Sequence, residues 1–468
     1  MSNKINYIVE RLKKETNKEK DIVYRKKKIN YQVLYIIFNE SLTSNDSISD
    51  FIIRSLDSID YKYSKKDIYE IIKNDINNFK VIEINTYEQI CYYLNNGFTI
   101  LLFENDRYIA LETKKNLTRS ISTPNIEITL RGSMDSFVEE IQTNIGLIRR
   151  RIKDNNLWTI NNDVGKYTKT RTTMLYINNI ADRQLVDKVD NLIKKIDIDG
   201  ITSSGNIKNL IEKENKSVFP TIITTERPDK VAKALLKGKI AIIVDGSPFV
   251  LILPAVLNDF FLNPEDSFMK SINVSFTRVI RYLCFYIAIL TPSIYIAFTT
   301  FNQEILPTEL LISFAFQRQS VPFPAFFEAL MMITSFEILR ESDLRIPSFS
   351  TSSLSVVGAL ILGEAAVNAG IVSPIMIIVI SITSISALPF TEPEIINAIR
   401  WYRLLFMVGA TTLGIVGIIL MTIIFLINFA SLDSFDMPYL MPYAPTNKNG
   451  LKNSIIKFPT SKLKEKKL

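Results

Sequence analysis

The chain has 468 residues, with 55 Lys and Arg against 48 Asp and Glu, a formal charge of +7, and no histidine, so imidazole catalysis, ligation and pH sensing are excluded. Its length allows roughly two to four domains. Its two cysteines, Cys91 and Cys284, build no disulfide framework, and the N-terminal MSNKINYIVERLKKETNKEK lacks the apolar core of a secretory signal.

Residues 1–28 are polar and charged and predict a helix with a mobile end. Val33 to Phe38 then reads as a strand and Ser47 to Leu56 as a helix. Tyr87 to Leu94 reads as a second helix stopped by Gly97, and Phe98 to Phe103 with Tyr108 to Leu111 as a hairpin. The plan returns 141 positions later. Leu34-Tyr35-Ile36 matches Leu175-Tyr176-Ile177; Ile48, Phe51 and Ile52 match Val189, Leu192 and Ile193; Gly97 matches Gly238. One offset over several elements implies two related α/β subdomains, 29–115 and 170–256, the second extending by a linker to 270.

The connecting segment, 116–169, holds an alternating stretch, Ile126 to Leu130, and a helical stripe of Phe137, Ile141, Ile145, Ile148 and Ile152. Arg149, Arg150 and Arg151 at its end would either bind a phosphate or headgroup, or be a solvated helix end or interface. No phosphate-loop, dinucleotide or nucleophile-elbow motif occurs, so neither an enzyme nor a cofactor is expected. Asp245-Gly246-Ser247-Pro248 is explained by a hairpin turn, and Asp259, Glu265 and Asp266 by a linker.

After about residue 270 the chain is apolar, and its basic flanks suit an anionic membrane leaflet better than nucleic acid. Tyr282 to Phe301 is charge-free and predicts a first span, with Lys270, Arg278 and Arg281 placing its start in the cytosol. Pro322 to Glu341, with Glu328, Glu337 and Arg340, reads as an interfacial or re-entrant helix; a fifth span with Glu328 buried is the alternative. Residues 346–391 hold a single ionisable side chain, Glu364, and are long enough for a hairpin of two spans turning near Gly370 and Ser373-Pro374. Leu404 to Leu432 holds the last span, and a Lys-rich tail from 433 to 468 is expected in the cytosol. The fold expected is an α-helical polytopic membrane domain of about four spans, 271–432, behind an N-terminal cytosolic α/β region.

The first helix of the 346–391 hairpin has two unlike faces. Ser355, Ala359, Gly363, Ala366 and Gly370 form a stripe of small residues suited to close packing in lipid. Val357, Leu360, Ile361, Glu364 and Asn368 lie on the other side. A carboxylate in mid-span is costly, so Glu364 faces protein or water, either as part of an ion pathway or as a buried structural acid. Glu304, Glu328 and Glu337 complete the acids within or beside the membrane.

The blocks GSPFVLILPAVLNDFFLNPED, TTFNQEILPTELLISFAFQRQSVPFPAFFEALMMITSFEILRE, SVVGALILGEAAVNAGIVSP and IINAIRWYRLLF occur in fixed order. They resemble the A subunit of GerA-type spore germinant receptors, from about residue 126 to 430. The resemblance implies a nutrient-receptor subunit of the spore inner membrane, a homo-oligomer forming a ligand-gated cation channel. It also implies a permease-like B subunit and a lipoprotein C subunit as partners. The chain departs from the family at Gly132-Ser133-Met134-Asp135, where Gly-Pro-basic is usual, and at Asn302, where His is common. It departs again at Glu364 and Asn368, where Gln and Glu are expected. A secondary transporter coupled through Glu364, or a non-conducting membrane scaffold, remains the alternative.

Overall fold

In the computed structural model the described residues are 3–16, 21–29, 32–57, 68–75, 80–104, 107–115, 124, 126–129, 132–212, 217–343, 363–451 and 453–458. They form two compact units: one from the residues before 216 together with Thr221–Ala255, the other from the residues between these and those after 255.

The first unit contains two five-stranded antiparallel sheets with the same order of strands. In the first, β1 (Ile22–Ile29), β2 (Gln32–Asn39), β3 (Val81–Ile84), β4 (Phe98–Phe103) and β5 (Arg107–Glu112) lie in the order β1-β2-β4-β5-β3. In the second, β6 (Leu157–Val164), β7 (Thr170–Ile177), β8 (Ile223–Thr225), β9 (Ile240–Val244) and β10 (Val250–Leu253) lie in the order β6-β7-β9-β10-β8. Boundaries at residues 29 and 170 therefore cut off an edge strand from each sheet. β1 reads IVYRKKKI, and its run of lysines and arginine fits an edge, where charge discourages pairing with another chain. That run hides the strand from a search for apolar alternation. The N-terminal segment is likewise not free: α1 (Asn3–Glu15) buries Ile5, Ile8, Val9 and Leu12 against the first sheet.

The single offset of 141 divides into two. Gly97 and Gly238 both take positive φ, +80° and +86°, one residue before β4 and two before β9. A Cβ there would meet a backbone carbonyl, Leu42 O at 2.9 Å and Ile180 O at 3.2 Å respectively. Those carbonyls are 138 apart, not 141. So are the helix caps Ser44 and Asp182, each of which accepts a bond from a backbone N–H of its own helix. Leu34 pairs with Phe103 in the first sheet, and Thr172 with Val244 in the second. The sequence match Leu34 to Leu175 is thus three residues out of the structural register. Beyond the caps, α2 (Asn45–Ser47) runs into a π-helix, Ile48–Ile53, whereas α6 (Arg183–Lys194) is regular. The wider turn absorbs one extra residue, so buried Ile52 stands where Val189 stands in the second half.

The remaining helices of this unit are α3 (Ile68–Asp75), α4 (Tyr87–Leu94), α5 (Ile141–Arg149), α7 (Ser204–Ile211) and α8 (Pro228–Leu236). The alternating stretch 126–129 is not a strand. The carboxylate of Glu226 takes the N–H groups of Ile126 and Glu127 instead, at 2.6 and 2.8 Å. Arg227, fully buried, donates to Glu127 O, Thr129 Oγ1, Ser133 O and both oxygens of Asp229, pinning this segment to the start of α8. The arginine triplet splits. Arg149 is buried and reaches Leu157 O, Arg150 is exposed, and Arg151 pairs with Asp135 at 2.5 Å. The burial of Asp135 works to raise its carboxyl, but bonds from Arg151 and Ser133 outweigh that and hold it below its ordinary value.

The second unit is helical. Its main elements are α9 (Ser271–Thr300), α10 (Thr308–Arg318), α11 (Ala325–Asp343), α12 (Pro374–Ile385) and α13 (Pro393–Ser431). Among the described residues two helices, α9 and α13, are long and apolar enough to cross a membrane by length and composition; four such spans are not displayed. α13 is not one straight rod. Gly414 leaves the helical region at φ +60°, ψ −136°, a conformation close to glycine-only. The two arms fold together: Tyr402 and Phe425 have ring centroids 4.7 Å apart, and a Cβ on Gly417 would stand 1.9 Å from Gly409 O. In a single helix Tyr402 and Phe425 would be about 34 Å apart. The expected last span is therefore a hairpin of arms Pro393–Leu413 and Ile415–Ser431, about 31 and 26 Å long. Asn302 Oδ1, just past the end of α9, accepts from the N–H of Ile415 at 3.1 Å and caps the second arm.

Candidate functional site

The first helix of the expected membrane hairpin is described from residue 363 onward; Ser355, Val357, Ala359, Leu360 and Ile361 lie outside the described residues. Residues 363–368 are helical and end at Gly370, which takes φ +66°. Gly363 is buried, with side-chain atoms of Ile377 on α12 within 3.8 Å of the place a Cβ would occupy, and Ala366 packs on the core formed by α9, α11 and α12. Glu364 and Asn368 are both exposed, on the opposite side.

Ser373 then caps α12, and a buried acid holds that cap. Glu328, on α11, is fully buried, and its Oε2 accepts from Ser373 N at 3.0 Å and Ser373 Oγ at 2.9 Å. Its Oε1 lies 3.3 Å from Nη2 of Arg318 at the end of α10. A carboxylate at a helix start satisfies N–H groups with no intrahelical partner and meets the positive end of the helix dipole. Glu328 thus joins three elements at the turn that follows Glu364 and Asn368.

α11 packs on the other helices of the unit, as the reading of a helix packed on the bundle requires. Ala325 and Ala329 pack with Tyr295, Val372 and Met376, while Glu337, three turns later, sits half-buried beside Arg400 of α13. The helix accordingly runs along its neighbours. Two of its acids, buried Glu328 and half-buried Glu337, pair with Arg318, Arg340 and Arg400, which a purely apolar reading overlooks. The available signal was an isolated arginine in apolar sequence, which needs a counter-charge. Glu304 stands apart, exposed in the short turn after α9.

The ends of this unit meet. Arg278 and Arg281, near the start of α9, both bond Asp266, and Arg278 also donates to Asn453 O and Ser454 O of the tail at 2.7 and 2.9 Å. Lys457 Nζ donates to Met269 O at 3.2 Å, and Tyr282 and Tyr443 share a hydroxyl contact of 2.7 Å. The tail expected as a Lys-rich polar extension is thus built onto the base of α9 as far as Lys457.

The model of the Bacillus/Clostridium GerA spore germination protein family matches residues 10–468. The chain is 38% identical over 453 residues to spore germination protein KA of Bacillus subtilis, covering 96% of this chain and 83% of that one. It is 35% identical over 431 residues to a B. subtilis protein described as the uncharacterized membrane protein YfkQ, covering 91% and 83%. A solved relative, the N-terminal domain of the A subunit of the Bacillus megaterium spore germinant receptor GerK3, aligns at 33% identity. Its TM-score is 0.42, over 53% of this chain and 94% of that one. With a family match over nearly its whole length and relatives above 30% identity, the chain belongs to the GerA family of spore germination proteins.

Proposed function

We propose that the chain is the membrane subunit of a nutrient germinant receptor of the spore inner membrane, and that copies of it assemble around a cation pathway lined by the helix bearing Glu364. The observation behind this reading is the two-sidedness of residues 363–370. Gly363 and Ala366 are packed inward, while Glu364 and Asn368 are left exposed on the isolated chain. A ring of copies places one carboxylate from each around an axis, and a ring of acids draws cations. The B and C subunits are the partners that follow from the resemblance, the B subunit carrying the nutrient site. Gly363, Ala366 and Gly370, the described members of the small-residue stripe, serve packing, and by their spacing in the sequence Val357, Leu360 and Ile361 are assigned to the pathway with Glu364 and Asn368.

Single-channel recording on the full chain in bilayers tests this. Discrete cation conductance is expected, with Glu364→Gln altering selectivity while the oligomer persists. Nutrient-driven flux without discrete openings would establish the transporter instead, and neither signal would leave a scaffold. Unchanged selectivity in a conducting Glu364→Gln channel removes this residue from the pathway.

A further inference from the structure

Charge in the membrane unit concentrates at one more place, where α11 meets the first arm of α13. Glu337 Oε1 accepts from Arg400 Nε at 2.8 Å, and its Oε2 lies 3.3 Å from Arg340 Nε. Arg403, 4% exposed, is taken up elsewhere, donating its Nε to Ala288 O of α9 at 2.7 Å. Two guanidinium groups, those of Arg340 and Arg400, therefore share one carboxylate. Arg400 Nη1 is taken by Asn397, but its Nη2 is buried with no hydrogen-bond partner among the described residues.

Arg340 Nε is likewise buried without a hydrogen-bond partner, and unsatisfied guanidinium nitrogens in apolar surroundings are costly unless an anion completes them. Guanidinium groups in a fork suit a phosphate oxyanion in particular. Beside them Trp401, Leu405 and Val408 are all exposed, at spacings of four and three residues, so they form one outward stripe leading away from Arg400. Tryptophan gathers at headgroup level, and the aliphatic residues below it offer a track for an acyl chain.

We propose that Arg340 and Arg400 form a site for a phosphate ester, occupied by the headgroup of an anionic phospholipid whose chain lies along Trp401, Leu405 and Val408. The site is separate from the proposed ion pathway and does not depend on conduction.

The test is thermal unfolding of the full chain in neutral detergent, with phosphatidylglycerol, phosphatidylcholine or inorganic phosphate added. Phosphatidylglycerol is expected to raise the midpoint and phosphatidylcholine to leave it. Arg400→Gln should weaken the apparent affinity for phosphatidylglycerol by on the order of tenfold, the loss of one charge-assisted contact. Glu337→Gln should strengthen it, since the competing carboxylate is gone, and this variant decides the matter if Arg400→Gln does not fold. Inorganic phosphate stabilising as well as phosphatidylglycerol would assign the site to a soluble anion and overturn the lipid assignment. Equal effects of the two lipids, or the same affinity in both variants as in the parent, would overturn the site itself.

Discussion

Glu328 is the residue whose removal the structure predicts most sharply. Its side chain is fully buried and makes two hydrogen bonds to Ser373 and one ion pair with Arg318. Truncation to alanine removes all three and leaves Arg318 without its counter-charge. Removing one partner of a buried pair costs about 3–5 kcal/mol. The upper part of that range is tempered because Arg318 is 21% exposed and can turn toward water or headgroups. Glu328→Gln is the informative comparison. Its amide oxygen can keep both Ser373 bonds, while its NH₂ is turned on a guanidinium that only donates, so roughly half of the alanine cost remains, about 2 kcal/mol. Pairing Glu328→Gln with Arg318→Gln should recover part of it, giving a coupling within the 0.5–3 kcal/mol seen for contacting pairs. The assay is unfolding of the full chain in detergent, run for the two single variants and the double. A Glu328→Gln protein as stable as the parent, together with additive singles, would refute the view that this acid organises the turn at Ser373.

Other consequences follow from the same geometry. Gly417→Ala places a Cβ 1.9 Å from the carbonyl of Gly409, a backbone atom that cannot step aside, so the hairpin must open and stability should fall by at least about 1–3 kcal/mol. Gly205→Ala, with nothing within 4 Å, serves as the neutral or slightly stabilising control in the same measurement. Asp135 is held below its ordinary pKa by Arg151, so the unfolded chain binds its proton first as pH falls. Its contribution is complete above the unfolded value of about 3.9 and is lost as pH drops through the lower folded value. Asp135→Asn should therefore flatten the acid limb of unfolding, and an unchanged limb would show that the ion pair does not matter.

The sequence disclosed the α/β repeat because glycine at positive φ and buried hairpin strands leave strong marks. Gly97 with Phe98 to Phe103 and Gly238 with Ile240–Val244 are such marks. It concealed β1 because an edge strand carrying Arg25, Lys26, Lys27 and Lys28 has no apolar alternation. The three-residue slip in β2 against β7 arose from matching letters, Leu-Tyr-Ile, where the register depends on the carbonyls of Leu42 and Ile180 that receive the two glycines. In the membrane unit, hydropathy shows that residues are apolar but cannot show where a rod turns back. Gly414 was one glycine among several in an uncharged run, and its role depends on Asn302, more than a hundred positions earlier. Within residues 363–368, spacing alone separated Gly363 and Ala366 from exposed Glu364 and Asn368. Spacing could not reveal Arg318 and Ser373, the partners of Glu328, or the Arg400 partner of Glu337, since they come from other elements.

The folded α13 also bears on topology, because the two ends of the membrane unit can be located relative to each other. The start of α9 is tied to the tail through Arg278 with Asn453 and Ser454, and through Tyr282 with Tyr443. The far end of α9 is tied to the tip of the α13 hairpin through Asn302 and Ile415. α13 thus begins and ends near the level of Phe285, in the first half of α9, where Phe390 and Phe425 pack on it, and it adds either two crossings or none. A chain whose membrane unit opens and closes at one level must cross an even number of times, whatever the total. The basic residues at that level, Lys270, Arg278, Arg281 and Lys457, favour the cytosolic leaflet for both ends. Reporters inserted before Lys270 and after Tyr443 in the full chain should therefore respond from the same compartment, the cytosol. Opposite compartments would require an odd count, and would mean that the contacts between Arg278 and the tail do not form in the membrane.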